Sequence, residues 1–203
     1  MLRGTAPAWL CPGAVALIAL WLSWHDPDTS IPLFTLLVLP IGTLVLGLTV
    51  WSTAAQGWRA VASRATGTTG PALALTAVTV AIAVTVSLII ALLYLTAGIP
   101  AGHAWPLALT GATVGAMLTT LTLWLAIRTS QTVAAAVGII GILFGVLVGG
   151  TSLQRTLWPL VPYSWANYLD LHRMAVTLPV SLAALALTTF GITRATRKAA
   201  EDS

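Results

Sequence analysis

Six apolar stretches contain no charged residue and no histidine, and this pattern restricts the folds open to the chain. A soluble domain of 203 residues covers its surface with charged side chains, but only 7% of these residues are charged and 58% are hydrophobic. Apolar runs of roughly 17 to 25 residues cross a bilayer as helices. The sequence therefore predicts an all-α integral membrane protein, with one transmembrane domain over residues 1–203 and no soluble domain.

Short breaks rich in proline, glycine and polar residues separate the apolar stretches. We predict spans over residues 9–24, 32–50, 72–95, 106–127, 133–149 and 174–192, and polar connections that include 25–31 and 54–64. The first stretch could be mistaken for a signal peptide, but no small-x-small cleavage motif follows it, so we expect an uncleaved span. Pro40 lies inside the second span and predicts a kink there.

The basic residues are unevenly divided between the two ends of the predicted bundle. Six spans put both termini on one side, where seven of the nine basic residues fall, and only Arg155 and Arg173 lie opposite. This bias predicts that the termini are cytoplasmic. Because the net charge of +4 is spread thinly between apolar runs, it indicates topology and no nucleic-acid partner. We expect a multi-pass protein of a bacterial plasma membrane.

Residues for energy coupling or catalysis are missing from the predicted spans. Ion-coupled transporters carry ionisable groups at membrane depth, and the chain also lacks the G-x-x-x-x-G-K-[ST] and H-E-x-x-H motifs. Cys11, the only cysteine, excludes an intrachain disulfide. We expect no enzyme activity and no catalytic residue. We also expect no metal, since the outer histidines and aspartates match no known spacing: His25, Asp26, Asp28, His103, Asp170 and His172.

Small and hydroxyl residues recur within the spans. Glycines at four-residue spacing allow close helix packing, either within one subunit or at a dimer seam; they are Gly111, Gly115, Gly141, Gly145 and Gly149. The hydroxyls of the third and fourth spans are expected to bond to carbonyl oxygens one turn earlier, with contact to a substrate as the alternative. They belong to Thr76, Thr79, Thr85, Ser87, Thr110, Thr113, Thr119, Thr120 and Thr122.

The stretch from Leu157 to Tyr168 differs from the spans around it. Its prolines oppose a regular spanning helix, and its four aromatic residues suit the membrane interface. We predict that it lies at the outer leaflet or dips into it.

Three motifs together resemble a known family. Gly57-Trp58-Arg59 follows the second span, Arg128 lies on a short link after the fourth, and Trp158-Pro159-Leu160-Val161-Pro162-Tyr163-Ser164 follows the glycine-rich fifth. This combination resembles the membrane subunits of type-2 ABC exporters, especially the permeases of the lantibiotic-immunity and antibiotic-resistance group. The resemblance covers about residues 32–165. Gln56 differs from the family, in which an acidic residue often precedes the Trp-Arg pair.

The resemblance implies a six-span permease that pairs as a homodimer or heterodimer and binds separate ABC ATPase subunits. Those subunits would hold ATP and magnesium, and this chain would hold no cofactor. The loop after the second span would act as a coupling helix against the ATPase, and its contact residues would be Gln56, Trp58, Arg59 and Arg64. An aromatic residue beside arginines suits such a docking surface, although an interfacial anchor is an equal interpretation of Trp58.

The resemblance also implies an outer re-entrant hairpin that caps the translocation path, including Trp158, Pro162 and Tyr163. The expected function is ATP-driven export of a peptide antibiotic, drug or lipid-like amphiphile out of the cell. Two alternatives stay open: a substrate-capture membrane protein of a vitamin-type uptake system, and a non-transporting immunity or scaffold protein.

Overall fold

A computed structural model describes the backbone of residues 6–25, 27–64 and 69–201 and the side chains of residues 12–25, 29–55, 57–58 and 69–197. These residues form helices and turns, with no strand among them. The α-helices are α1 (Ala6–Trp24), α2 (Pro27–Leu33), α3 (Leu39–Arg64), α4 (Thr69–Thr96), α5 (Ala101–Arg128), α6 (Gln131–Gly149), α7 (Gln154–Leu157) and α8 (Leu171–Glu201). A π-helical stretch covers Phe34–Val38, and 3-10 turns cover Trp158–Leu160 and Pro162–Asn167.

Five helical stretches are long and apolar enough to cross a membrane. They are Thr29–Ala55, Thr69–Thr96, Ala101–Arg128, Gln131–Gly149 and Leu171–Arg197. The predicted all-α membrane class is therefore confirmed, and five of the six predicted spans have counterparts. The apolar part of α1 with described side chains, Pro12–Trp24, is shorter than a span. The sixth span at residues 9–24 and the position of the termini stay predictions.

Two predicted polar connections are instead helical. The prediction of a loop at 54–64 is wrong, because α3 continues from the second span through Arg64. The residues of this segment include no proline, and alanine, glutamine and arginine favour helix. The predicted turn at 25–31 is also too long, since α2 begins at Pro27. Proline suits the first helical turn, where its missing N–H has no intrahelical partner to lose.

The π-helical stretch lies immediately before Leu39 and Pro40. Proline lacks an N–H, and its ring clashes with the carbonyl four residues earlier, here that of Leu36. The Leu39 N–H donates to the carbonyl of Phe34, one residue further back than in an α-helix. Beside Pro40, where the sequence predicts a kink, the structure has one wider helical turn.

Helix α5 occupies the centre of the bundle, where it packs against α3, α4, α6 and α8. The surrounding helices each bury one face and expose an apolar one. Leu92 of α4, Phe144 of α6 and Leu187 of α8 are examples of exposed residues on these outward faces. Such apolar surfaces suit contact with lipid chains and agree with a membrane bundle.

Most hydroxyls of α4 and α5 are paired within their own helix. Their predicted bonds to the carbonyl four residues earlier are confirmed, at 2.7–3.0 Å, for Thr76, Thr79, Thr110, Thr113, Thr119, Thr120 and Thr122. The Ser87 hydroxyl is buried and has no partner among the described residues, whereas Thr85 is exposed. The Thr120 hydroxyl also lies 3.0 Å from that of Thr188, which links α5 to α8.

Candidate functional site

The candidate site has two parts at opposite ends of the bundle. We call the end that carries the last turns of α3, α5 and α8 and the first turn of α4 the inner end. We call residues 158–168 the outer segment. The predicted coupling residues belong to the inner end, and the predicted hairpin residues belong to the outer segment.

The inner end is organised around Trp58, whose side chain is only 8% exposed. It forms a cluster with Ala72 of α4, Leu123 of α5 and Ile192 of α8. Trp51 lies on the same face of α3, and the centroids of the Trp51 and Trp58 rings are 6.2 Å apart. Among the described side chains of the last turns of α3, Trp58 is the one that joins this cluster with three other helices.

The burial of Trp58 changes how it can contribute to docking. Its ring faces its own bundle, and its indole N–H is buried without an acceptor among the described residues. A side chain in this position supports the helix end instead of presenting an exposed ring to a partner. Gly57 is exposed, and the side chains of Gln56, Arg59 and Arg64 lie outside the described residues.

The outer segment consists of two 3-10 turns, and the prediction that no regular spanning helix forms there agrees with the structure. Pro159 is the second residue of its turn and Pro162 the first of its own, positions where the fixed proline φ is acceptable. The Trp165 indole N–H donates to the Trp158 carbonyl at 2.8 Å. The Ser164 hydroxyl donates to the Val161 carbonyl at 2.9 Å. Local hydrogen bonds thus compensate for the missing helical ones.

The glycines of α6 give the outer segment its close contact with the bundle. The Tyr163 ring lies directly against Gly141, where a Cβ atom would overlap it. A Cβ on Gly145 would lie 2.8 Å from the Tyr163 Cβ, and one on Gly149 would lie 3.3 Å from the Ser164 Cβ. These glycines therefore pack against the same chain, the first of the two arrangements considered from the sequence. Burial raises the pKa of the Tyr163 phenol, which stays protonated at neutral pH.

The other predicted packing glycines also face this chain. A Cβ on Gly111 would lie 3.3 Å from the Ser87 hydroxyl oxygen, and one on Gly115 would lie 3.1 Å from Leu39. Both glycines are on α5, and these neighbours belong to α4 and α3. They allow the central helix to approach both of its neighbours closely.

A polar contact joins the outer segment to the π-helical stretch. The Thr35 hydroxyl lies 2.9 Å from the Asn167 side-chain oxygen and 2.9 Å from the Ile31 carbonyl. A hydroxyl carries one proton, so the Thr35 hydroxyl donates to one of these two oxygens. In the flipped orientation of the Asn167 amide, the amide NH₂ group donates to the Thr35 hydroxyl instead. The irregular turn near Pro40 therefore contacts the irregular outer segment.

A cation and two aromatic rings connect the outer segment to α8, an arrangement that the sequence analysis missed. The Arg173 guanidinium carbon lies 4.6 Å from the Tyr168 ring centroid and 5.6 Å from that of Trp158. Asp170 accepts from the Arg173 backbone N–H at 2.9 Å, and its other oxygen lies 3.4 Å from Arg173 Nε. The sequence signal for this arrangement is Asp170, three residues before Arg173, because aspartate is a common N-cap residue at the start of a helix.

An apolar cleft with about 50 Å³ of interior space lies between α1, the π-helical stretch, α3 and α4. Ala14, Phe34, Gly42, Leu46 and Val86 are among its lining residues. Its chemistry suits an apolar ligand, since the Thr43 hydroxyl in its wall already donates to the Pro40 carbonyl at 2.9 Å. No group of three or more histidine, cysteine, aspartate or glutamate residues is close enough for a metal within the described ranges.

No protein-family model, curated protein or solved structure matches the chain.

Proposed function

We propose that the chain is the membrane-spanning permease subunit of an ATP-driven ABC exporter. In this proposal α1 supplies a sixth span, both termini are cytoplasmic, and the inner end faces the cytoplasm of a bacterial cell. The chain pairs with itself or a second permease, and separate ATPase subunits bind ATP and magnesium. The cargo is a peptide antibiotic, a drug or a lipid-like amphiphile.

The observation that carries the proposal is the unbroken course of α3 from the membrane span to Arg64. A subunit driven by a separate ATPase needs a stiff element at the contact, because a flexible loop would absorb the movement. The last turns of α3 have this stiffness, and Trp58 joins them to α4, α5 and α8. A displacement at Arg59 or Arg64 would therefore move several spans together.

Helix α5 supplies a path from the inner end to the outer segment. Leu123 belongs to the Trp58 cluster near the inner end, and α5 also packs against residues 162–167. Coupling between distant sites is carried by packed elements that have two arrangements. Each site shifts the equilibrium between those arrangements. The contacts support a mechanism in which ATP binding at the inner end changes the packing of Tyr163 against α6.

The energy source follows from the composition of the spans. No acidic residue lies within the five spanning stretches, and their basic residues and histidines lie near the ends. Ion-driven transporters use ionisable groups at membrane depth. A partner that hydrolyses ATP is the energy source that this composition favours.

The proposal is tested by purifying the full chain with a C-terminal tag from its own membranes and identifying the ATPases that accompany it. Wild type should retain an ABC ATPase, and Arg59→Glu should lose it through charge reversal at the contact. Arg155→Glu is the matched control, since Arg155 is an exposed arginine on α7 at the opposite end. Failure of wild type to retain any ATPase would contradict the proposal.

A second candidate function, capture of a small apolar ligand for an uptake system, is favoured by the cleft beside α1. Its lining is almost entirely apolar, and its interior space of about 50 Å³ admits a small apolar group. The isolated chain should then bind its ligand tightly without an ATPase. Ligand-dependent thermal stabilisation that Gly42→Leu abolishes would favour capture over export.

A further inference from the structure

Two arginines at the inner end lack an acidic partner among the described residues. Arg128 ends α5 and Arg194 lies on the last turns of α8, and both side chains are exposed. The ion pair between Arg173 and Asp170 lies at the other end of the bundle. The positive charge of Arg128 and Arg194 is therefore available to an anion.

Two contacts between α5 and α8 define where these arginines lie. The hydroxyls of Thr120 and Thr188 are 3.0 Å apart, and the Trp124 indole nitrogen would lie 2.5 Å from a Cβ on Gly191. The numbering rises in the same direction along both helices, so α5 and α8 are parallel here. The second contact places the Trp124 side chain on the side of α5 that faces Gly191 of α8.

Helical geometry extends these contacts to the arginines. At about 1.5 Å and 100° per residue, Arg128 begins about 6 Å beyond Trp124, and Arg194 begins about 4.5 Å beyond Gly191. The same rotation places both arginines on the side of the helix pair where Trp124 meets Gly191. Arg128 and Arg194 therefore flank one corner of the inner end at nearly the same depth. We call Arg128, Trp124 and Arg194 the inner corner.

The residues next to the inner corner distinguish a lipid from a soluble anion. The Arg194 guanidinium carbon lies 4.5 Å from the centroid of the Phe190 ring, which is 56% exposed. Leu187, one turn further into the span, is 71% exposed. A charged group directly above an exposed apolar strip matches a phospholipid, whose phosphate lies above its acyl chains.

We propose that the inner corner binds the phosphate of an anionic phospholipid, with the acyl chains along Phe190 and Leu187. Arginine forms paired hydrogen bonds with phosphate, and tryptophan is enriched at the level of lipid headgroups. The site suits a lipid better than free phosphate, because free phosphate has no apolar part that could contact Phe190 and Leu187. The proposal goes beyond transport and does not depend on an ATPase.

The test is native mass spectrometry of the full chain in detergent, titrated with phosphatidylglycerol or phosphatidylcholine. Arg128→Gln and Arg194→Gln should each weaken phosphatidylglycerol binding about fivefold, and the double variant should weaken it more than tenfold. Phosphatidylcholine binding should change little. Arg155→Gln, a control arginine at the opposite end, should leave both lipids bound as in wild type.

Several results would overturn the lipid site. These are unchanged phosphatidylglycerol binding by the double variant, an equal loss in Arg155→Gln, or displacement of the lipid by inorganic phosphate at equal concentration. A double variant that keeps the lipid but loses an acidic protein partner would make the corner a protein interface instead. Arg194→Lys retains the charge and should keep most of the binding. If Arg194→Gln fails to fold, the fivefold loss expected of Arg128→Gln alone tests the site.

Discussion

The outer segment and the inner end are both attached to the central bundle, but by different means. The outer segment has several independent contacts: the Tyr163 ring against α6, the contact between Thr35 and Asn167, and the aromatic contacts of Arg173. The described contacts of the inner end of α3 centre on Trp58. Distributed contacts tolerate the loss of one member, whereas a cluster built around one large ring tolerates the loss of that ring poorly. The inner end is therefore expected to be the more sensitive to one substitution.

The largest expected effect is that of Trp58→Ala. Removing this ring leaves a space between α3, α4, α5 and α8 and should lower the free energy of unfolding by about 3 kcal/mol. Thermal unfolding of the purified chain in detergent measures the loss. Trp24→Ala is the control, because the Trp24 side chain is 80% exposed and should contribute little. Equal losses in the two variants would contradict the role of Trp58 as the inner anchor.

An intermediate effect is expected for Gly141→Ala. The added methyl group overlaps the Tyr163 ring, so the outer segment must shift, at a cost of about 2 kcal/mol. Gly42→Ala is the matched control, since a Cβ there meets nothing within 4 Å and removes a flexible residue from a helix. The unfolding midpoint should fall for Gly141→Ala and hold or rise for Gly42→Ala. Shifts of the same size and sign would show that α6 does not hold the segment.

The overall class and the places of irregular structure were predictable from the sequence. The absence of charges from long apolar runs predicted the membrane helices, and Pro40 and Pro162 predicted departures from regular helix. The apolar pattern does not predict that α3 runs unbroken through Arg64, because polarity alone indicates a loop, although the resemblance implies a coupling helix here. Polarity reports exposure to water, whereas helix formation depends on backbone propensity, and residues 54–64 satisfy that propensity.

The contacts of individual side chains were less predictable. Gly141 and Gly145 indicated close packing, but their spacing alone does not distinguish the same chain from a second copy. Trp58 was identified as important, but its burial depends on Leu123 and Ile192, which are distant in sequence. Tertiary contacts of this kind are set by the arrangement of the helices and not by local pattern.

The smallest expected effect is that of Arg173→Gln. It removes a partly exposed cation from the Tyr168 and Trp158 rings, a loss of about 0.5 to 1 kcal/mol. Backbone hydrogen exchange across residues 158–168 should quicken while exchange at the inner end stays constant. Arg155→Gln should change neither region. Faster exchange at both ends would show that the two regions do not respond separately.

The central claim, that ATP acting at the inner end moves the outer segment, is tested most directly by cysteine labelling. Ser164→Cys in a Cys11→Ser background introduces one thiol at a position that is fully buried against α6, and Leu160→Cys, at a 76% exposed position, is the control. In the complex with its ATPase, magnesium and ATP should raise maleimide labelling at position 164 several-fold, and Trp58→Ala should abolish the increase. Labelling at position 160 should be fast throughout. ATP hydrolysis without any change in labelling at position 164 would contradict the account.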